Sequence, residues 1–248
     1  MSNLHRSRII FPSLLLLAFA GFVALGSWQL QRLAWKRDLI ARVDARLQAA
    51  PVPAPSHEDW PKLSLANDEY RRVCIDGSML NDKETLVQAV TRLGPGNWVL
   101  TPLRSDDGNV VLINRGFVDP DHRGPMSRTS SRPGDPVHLC GLLRLSEPGG
   151  AFLHRNDPTS GRWYSRDLSA IASAQGFDPA TVAPYFIDAE ADPDPASWPV
   201  GGLTVVHFRN SHLSYAITWY GLALLCLGGL AILIRQERTR RVQSADTA

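Results

Sequence analysis

Residues 210–234 read NSHLSYAITWYGLALLCLGGLAILI, and no charge interrupts them between Arg209 and Arg235. A second uncharged run, IIFPSLLLLAFAGFVALGSWQLQ, fills residues 9–31 between Arg8 and Arg32. The runs hold 25 and 23 residues. A hydrocarbon core ~30 Å thick takes roughly 20 helical residues to cross, so each run is long enough to span a bilayer. The chain therefore reads as a membrane hairpin. Its expected parts are transmembrane helix 1 at 9–31 with the helix continuing to about 49, an extracytoplasmic domain at 50–209, transmembrane helix 2 at 210–234 and a basic tail at 235–248.

The overall composition conceals this layout. Net charge is +2 and 20% of residues are charged, as in an ordinary soluble protein. Residues 32–209 carry 20 Lys+Arg and 22 Asp+Glu, a net of −2, while the tails carry six basic residues against two acidic ones. Positive flanks stay cytoplasmic, whereas a long loop crosses largely regardless of its charge. Both termini are thus expected in the cytoplasm and the middle outside it. Arg32, Lys36 and Arg37 pull the other way, but the arginines after the second run outweigh them. Ala18-Phe19-Ala20 resembles a signal cleavage site. The apolar run continues through Phe22, Val23 and Leu25, which favours an uncleaved anchor. The eight residues before the first run leave no room for a mitochondrial presequence, so a bacterial cytoplasmic (inner) membrane is the expected home. No nucleic-acid partner is expected; membrane lipid is.

Past the first run, Leu30, Leu33, Ile40, Val43 and Leu47 keep a helical spacing. Trp28 and Trp35 share a face, and Trp28 sits where an interfacial aromatic would lie. Pro51, Pro53, Pro55 and Pro61 then predict an extended linker over 49–61. From Tyr70 onward the pattern is β. Strands are expected at 71–75, 85–91, 97–103, 110–117, 137–145, 185–189 and 203–208, with a short helix at 167–175. Gly94-Pro95-Gly96 and the run Ser105–Asn109 read as turns, residues 119–135 as a polar loop, and 190–199 as a solvated acidic loop. The fold class is a membrane α+β protein: two transmembrane helices flanking a mainly antiparallel β domain with one or two short helices.

Common catalytic signatures are missing: no Gly-x-Ser-x-Gly, His-Glu-x-x-His, phosphate-binding loop or dinucleotide fingerprint occurs. Asp106, Asp107, Asp119 and Asp121 fall near loops, where aspartate ordinarily serves turns. His122, His138 and His154 are scattered, and a membrane-anchored enzyme built on them is the weakest reading. Cys74 and Cys140 lie in the middle region, where an oxidising compartment would allow a bridge; their spacing leaves the pairing open. Without Cys-x-x-Cys, a thioredoxin-like or zinc-ribbon role has no support. Cys226 has no Cys, Met or His at ligand spacing, so no copper site is read there.

His212 is the residue that stands out. Asn210 or Ser211 can cap the second helix, which puts His212 in its first turn. A neutral imidazole ligates metals. Tyr215, Ala216 and Trp219 follow at i+3, i+4 and i+7, one helical face offering a ligand, a hydroxyl, a gap and a flat ring. Haem iron is commonly held by histidine, and its propionates could reach Arg209. The competing reading is a packing face between the two spans.

These segments together resemble the surfeit locus protein 1 family of cytochrome c oxidase assembly factors. The resemblance rests on Leu25-Gly26-Ser27-Trp28-Gln29-Leu30-Gln31-Arg32 with Trp35-Lys36, then Tyr70-Arg71-Arg72-Val73 and Gly77. It continues through Gly94-Pro95-Gly96 with Thr101-Pro102-Leu103, Asn114-Arg115-Gly116-Phe117-Val118, Trp163-Tyr164 with Asp167, and the run Asn210 to Tyr220. It implies a non-enzymatic role in maturing the haem a centre of oxidase subunit I, with haem a as bound cargo. It also implies subunit I and other assembly factors, including haem a synthase, as partners. On the same grounds His212 would be the axial ligand to haem iron, with Tyr215 and Trp219 as pocket residues. Asn114-Arg115-Gly116 reads as a structural turn in which Asn and Gly tolerate unusual backbone angles. A scaffold that assembles oxidase subunits without binding haem is the alternative.

Overall fold

The computed structural model describes residues 3–128, 135–150, 154–194, 196–204 and 210–245, with backbone alone for 3–9 and 241–245. The chain forms two units, one of Met1–Arg42 with His207–Ala248 and one of Val43–Val206.

The first unit is a pair of long helices, α1 (Asn3–Gln48) and α4 (His212–Ala245). Both are long and apolar enough to cross a membrane. Leu15 packs near Gly229, Phe22 on Trp219 and Gln29 on His212, so the helices run antiparallel. The inward positions of α1 are Leu15, Phe19, Phe22, Gly26, Gln29 and Leu33; those of α4 are His212, Ala216, Trp219, Ala223 and Cys226. Each set recurs at alternating steps of four and three, the seam spacing of paired helices. Small residues let the backbones approach. A Cβ on Gly26 would come within 2.9 Å of the Tyr220 ring. Leu14, Leu17, Leu224 and Leu225 face outward, as residues that meet lipid do. Trp28 is 54% exposed on that outer surface.

The second unit is built on seven strands: β1 (Val52–Pro53), β2 (Arg72–Met79), β3 (Thr85–Thr91), β4 (Gly94–Ser105), β5 (Val110–Val118), β6 (Pro136–Leu145) and β7 (Val182–Ala189). The short helices α2 (Leu65–Asp68) and α3 (Leu168–Ala174) accompany them. The sheet order is β1-β2-β6-β7-β5-β4-β3, and β2 pairs with β4 as well. That extra pairing closes β2, β6, β7, β5 and β4 into a five-stranded barrel; β5–β7 is its parallel contact and the other pairs are antiparallel. Closure happens at Gly77, which faces both Ser105 and Val137. A Cβ there would lie 2.3 Å from the Arg104 carbonyl, so only glycine lets one strand serve two neighbours.

Alternation fills both sides of the barrel wall. Val73, Ile75, Leu103, Val111, Ile113, Leu143, Tyr185 and Ile187 pack the interior. Leu112 and Phe186 point the other way, under Leu168 and Ile171 of α3. The unbroken apolar run Val110–Ile113 is thereby explained: it is buried on both faces. Asp167 caps α3 by accepting from the Ala170 N–H at 3.2 Å. The proline segment is tied down at Pro55, whose carbonyl accepts from Trp60 Nε1 and from the Tyr185 hydroxyl.

Two local expectations change. The β3–β4 turn is Arg92-Leu93, and Gly94-Pro95-Gly96 opens β4 instead. Gly96 is needed because a Cβ would strike the Val118 carbonyl and the Phe117 ring. The strand expected at 203–208 does not begin at Leu203 or Thr204, which are irregular, and residues 205–208 lie outside the described ones, as does Arg209.

Asp188 anchors the polar side of the barrel wall. It is 4% exposed. Its carboxylate accepts from Asn114 Nδ2 at 2.7 Å, Thr204 Oγ1 at 2.8 Å, Arg144 Nη1 at 3.2 Å and Arg166 Nη1 at 3.3 Å. Burial alone would lower the Arg144 pKa; the Asp188 charge and the Glu69 hydrogen bond more than reverse it, and the net direction is upward. Asn114 serves this cluster by its side chain, and its Oδ1 also accepts from the Gly116 N–H at 3.3 Å. Gly116 holds φ +136° with the Val200 carbonyl 2.3 Å from where its Cβ would be. The structural reading of Asn114-Arg115-Gly116 is thus refined: the glycine takes the unusual angle, and the asparagine bonds across the sheet. Removing one partner from a buried charge cluster costs about 3–5 kcal/mol. Asp188→Ala should destabilise the barrel by that amount in urea melts followed by tryptophan fluorescence; a loss below 1 kcal/mol would mean the cluster is only peripheral.

Candidate functional site

Two pairs of polar side chains meet across the seam of the helix pair. Ser27 Oγ lies 3.0 Å from the Tyr220 hydroxyl. His212 Nδ1 lies 2.7 Å from Gln29 Oε1. Gln29 precedes Arg32 by three residues and His212 follows Arg209 by three, so the pair sits at the same end of both uncharged runs. An amide nitrogen or ring nitrogen left unpaired in an apolar layer costs several kcal/mol, which accounts for the pairing.

The direction of this hydrogen bond decides the chemistry. A carbonyl oxygen only accepts, so Nδ1 donates and carries the ring proton. An imidazole that donates from Nδ1 to an amide oxygen has its other nitrogen, Nε2, as the one turned to any further partner, and Nε2 of a neutral imidazole is a common metal donor. A histidine ligand characteristically has its second nitrogen held by a carboxylate or carbonyl in this way. Local sequence sets the ring in place. Asn210 Oδ1 accepts from the His212 N–H at 3.4 Å, and the Tyr215 N–H reaches the Ser211 carbonyl at 3.3 Å as the first helical turn.

The other expected site residues divide. Trp219 is on the seam, stacked on Phe22 with ring centroids 5.7 Å apart. Ala216 is buried against α1. Tyr215 is 54% exposed and stands outside the seam; the tyrosine in contact with α1 is Tyr220. Gln29 was not singled out in the sequence. Its signal was available, because an amide inside an otherwise apolar membrane-length run ordinarily has a partner or a function.

Elsewhere the loop aspartates and scattered histidines have local partners. Asp107 accepts from Ser105 Oγ at 2.5 Å and from Asn109, and these hydrogen bonds hold its carboxyl below the usual range. His122 pairs with Asp119 at 2.8 Å and stacks on Trp198. His154 stacks on Tyr164. A cleft of about 300 Å³ in the β unit is lined by Met79, Arg115, His138, Glu190, Asp192 and Trp198. Burial lowers the Arg115 pKa, although the guanidinium stays charged at any physiological pH.

Two membrane-length helices with His212 and Gln29 paired between them, joined to a small closed β barrel, define a membrane-tethered β-domain protein. Comparison with known proteins names the family. The SURF1 family model matches residues 16–224. The chain is 37% identical over 214 residues to surfeit locus protein 1 of Rattus norvegicus, covering 80% of this chain and 67% of that protein. Identity to surfeit locus protein 1 of Homo sapiens is 36% over 227 residues, covering 85% and 72%. With the SURF1-like protein of Caenorhabditis elegans it is 32% over 237 residues, covering 87% and 71%. This chain belongs to the SURF1 family.

The ring assignment is testable without any cargo. In the full chain in detergent, nitrogen NMR of labelled histidine should show His212 carrying a proton at Nδ1. Gln29→Leu should move the proton to Nε2, the usual preference of a free imidazole. An Nε2-protonated ring in the unaltered protein would contradict the assignment.

Proposed function

We propose that this protein is an assembly factor for a haem-copper (cytochrome c) oxidase, and that it holds haem a as cargo through His212. The role in oxidase assembly follows from membership of the family. The cargo reading is carried by one observation: His212 Nδ1 is bonded to Gln29, which leaves Nε2 as the donor. The donor set fits haem iron, for which a neutral imidazole is a common axial ligand. Trp219 and Phe22 supply an apolar stacked pair about two helical turns further along the seam, suited to a flat macrocycle. In this reading Tyr215, exposed on the flank of α4, would meet the edge of such a group rather than its face.

In this reading the protein binds and orients; no bond of the cargo is made or broken by its residues. Gln29 fixes the imidazole, the helix pair excludes water, and haem a passes to oxidase subunit I, with haem a synthase as the source. Both termini lie in the cytoplasm of a bacterial cell and the β barrel outside the inner membrane, as the charge of the flanks favours. A periplasm-specific reporter fused after Ala248 should be silent, and activity there would overturn this orientation.

The experiment is purification of the full chain from cells that make haem a, with its absorption spectrum recorded. The unaltered protein should carry haem a, and His212→Ala should lose it. Gln29→Leu should weaken binding ~10–100-fold, the usual effect of removing a group that orients a histidine ligand. Haem-free wild-type protein, or a His212→Ala variant that binds with unchanged affinity, would overturn the cargo reading; an oxidase defect on deletion would then favour a haem-free scaffold.

A further inference from the structure

On the outer face of β2 and β6, four residues meet on two rungs, with the Ile75–Leu139 rung between them. Cys74 is in register with Cys140, and Asp76 with His138. Residues two apart on a strand share a face, so all four side chains project from one side. Cys74 and Cys140 are joined by a disulfide. His138 Nδ1 lies 2.7 Å from Asp76 Oδ1. A carboxylate oxygen accepts, so Nδ1 carries the proton and Nε2 is turned toward the sulphurs, 3.6 Å from Cys140 Sγ. The three donor atoms of Cys74, His138 and Cys140 all lie within 4.8 Å of one another. The side chains of His138 and Asp76 are each 65% exposed, so the cluster opens to solvent.

We propose that this cluster is a redox-gated metal site, closed as the disulfide and open, when reduced, to a thiophilic cation of which copper(I) is the best match. Two thiolates and an imidazole are the soft donor set that selects copper(I) or zinc. Metal–sulphur and metal–nitrogen bonds of ~2.3 and ~2.0 Å put neighbouring donors about 3.5–4 Å apart, and the Nε2 to Sγ separation already has that value. Three donors satisfy copper(I), whereas structural zinc takes four. Asp76 completes a carboxylate–histidine–metal arrangement, holding the tautomer that leaves Nε2 free. The second carboxylate in the neighbourhood, Glu190, is engaged by Arg72 at 2.7 Å.

The opening step balances as thiol–disulfide exchange. A dithiol attacks the Cys74–Cys140 bond, supplies two electrons and two protons, and leaves as its own disulfide. Both cysteines are then thiols. The cation binds by displacing the two thiol protons, while His138 donates from Nε2 without losing its proton to Asp76. Rotation about the two Cα–Cβ bonds parts the sulphurs, and the β2–β6 ladder stays in place. This site belongs to the β unit and stands or falls independently of haem binding.

The test uses the full chain in detergent. Protein reduced with a phosphine is titrated anaerobically with copper(I) against bicinchoninate, and in parallel with zinc against a chromophoric chelator. Reduced protein should take one copper(I), with X-ray absorption showing two sulphur neighbours and one nitrogen. The oxidised protein and Cys74→Ser/Cys140→Ser should not compete. His138→Ala should bind at least 10-fold more weakly, and Asp76→Asn ~10–100-fold. Near-UV circular dichroism monitors the fold throughout. The proposal is overturned if reduced protein competes no better than the double serine variant, if His138→Ala leaves affinity unchanged, if only zinc binds, or if reduction unfolds the barrel and no copper is taken up.

Discussion

A lipid layer offers polar side chains no water, so those on the two long helices must satisfy one another. This constraint organises the helix pair. Gln29 and His212 meet because neither can stay unpaired, and their meeting has a chemical consequence that packing alone would not have. The amide oxygen accepts a hydrogen bond from Nδ1 and leaves Nε2 as the ring nitrogen turned to any further partner. Ser27 and Tyr220 solve the same problem elsewhere on the seam, and Gly26 provides room for the Tyr220 ring. A seam of steps of four and three brings these groups face to face.

The barrel answers to a related rule. Asp188 is buried in its wall, and Asn114, Thr204, Arg144 and Arg166 surround its carboxylate with donors. Desolvation makes such a cluster costly to assemble and costlier to break. The cluster links strands from distant parts of the chain, so it also marks one register as the correct one. Gly77 contributes by absence of a side chain, allowing β2 to face both β4 and β6. Charge burial and close approach thus specify a closed barrel that hydrophobic alternation alone would leave as an open sheet.

Much of this was legible in the residues, for identifiable reasons. Uncharged runs of membrane length report helices directly. Alternation at 71–75 and turn signals bounding 85–91 and 110–117 reported strands, and a short helix was legible over 167–175. Gly94-Pro95-Gly96 misled, because glycine serves close strand approach as readily as it serves turns. At the site, His212 was visible from its position at a span entrance, and Trp219 from its spacing. Tyr215 shares that nominal face, yet the seam repeat of seven carries it to the flank. Gln29 was not found, since its role depends on which residue of α4 it meets. The Cys74–His138–Cys140 cluster escaped for the same cause. His138 and Cys140 are visibly two apart, but Cys74 joins them only through the register of β2 on β6.

The central claim is that His212 is a ligand through Nε2, and the most direct measurement is made on the iron itself. Protein carrying nitrogen-15 histidine is loaded with haem a, and pulsed electron paramagnetic resonance of the ferric state reads the nitrogens bound to iron. The account predicts a directly coordinated histidine nitrogen that disappears in His212→Ala and is replaced by unlabelled nitrogen when imidazole is added to that variant. A histidine coupling that persists in His212→Ala, or none in the unaltered protein, would contradict it.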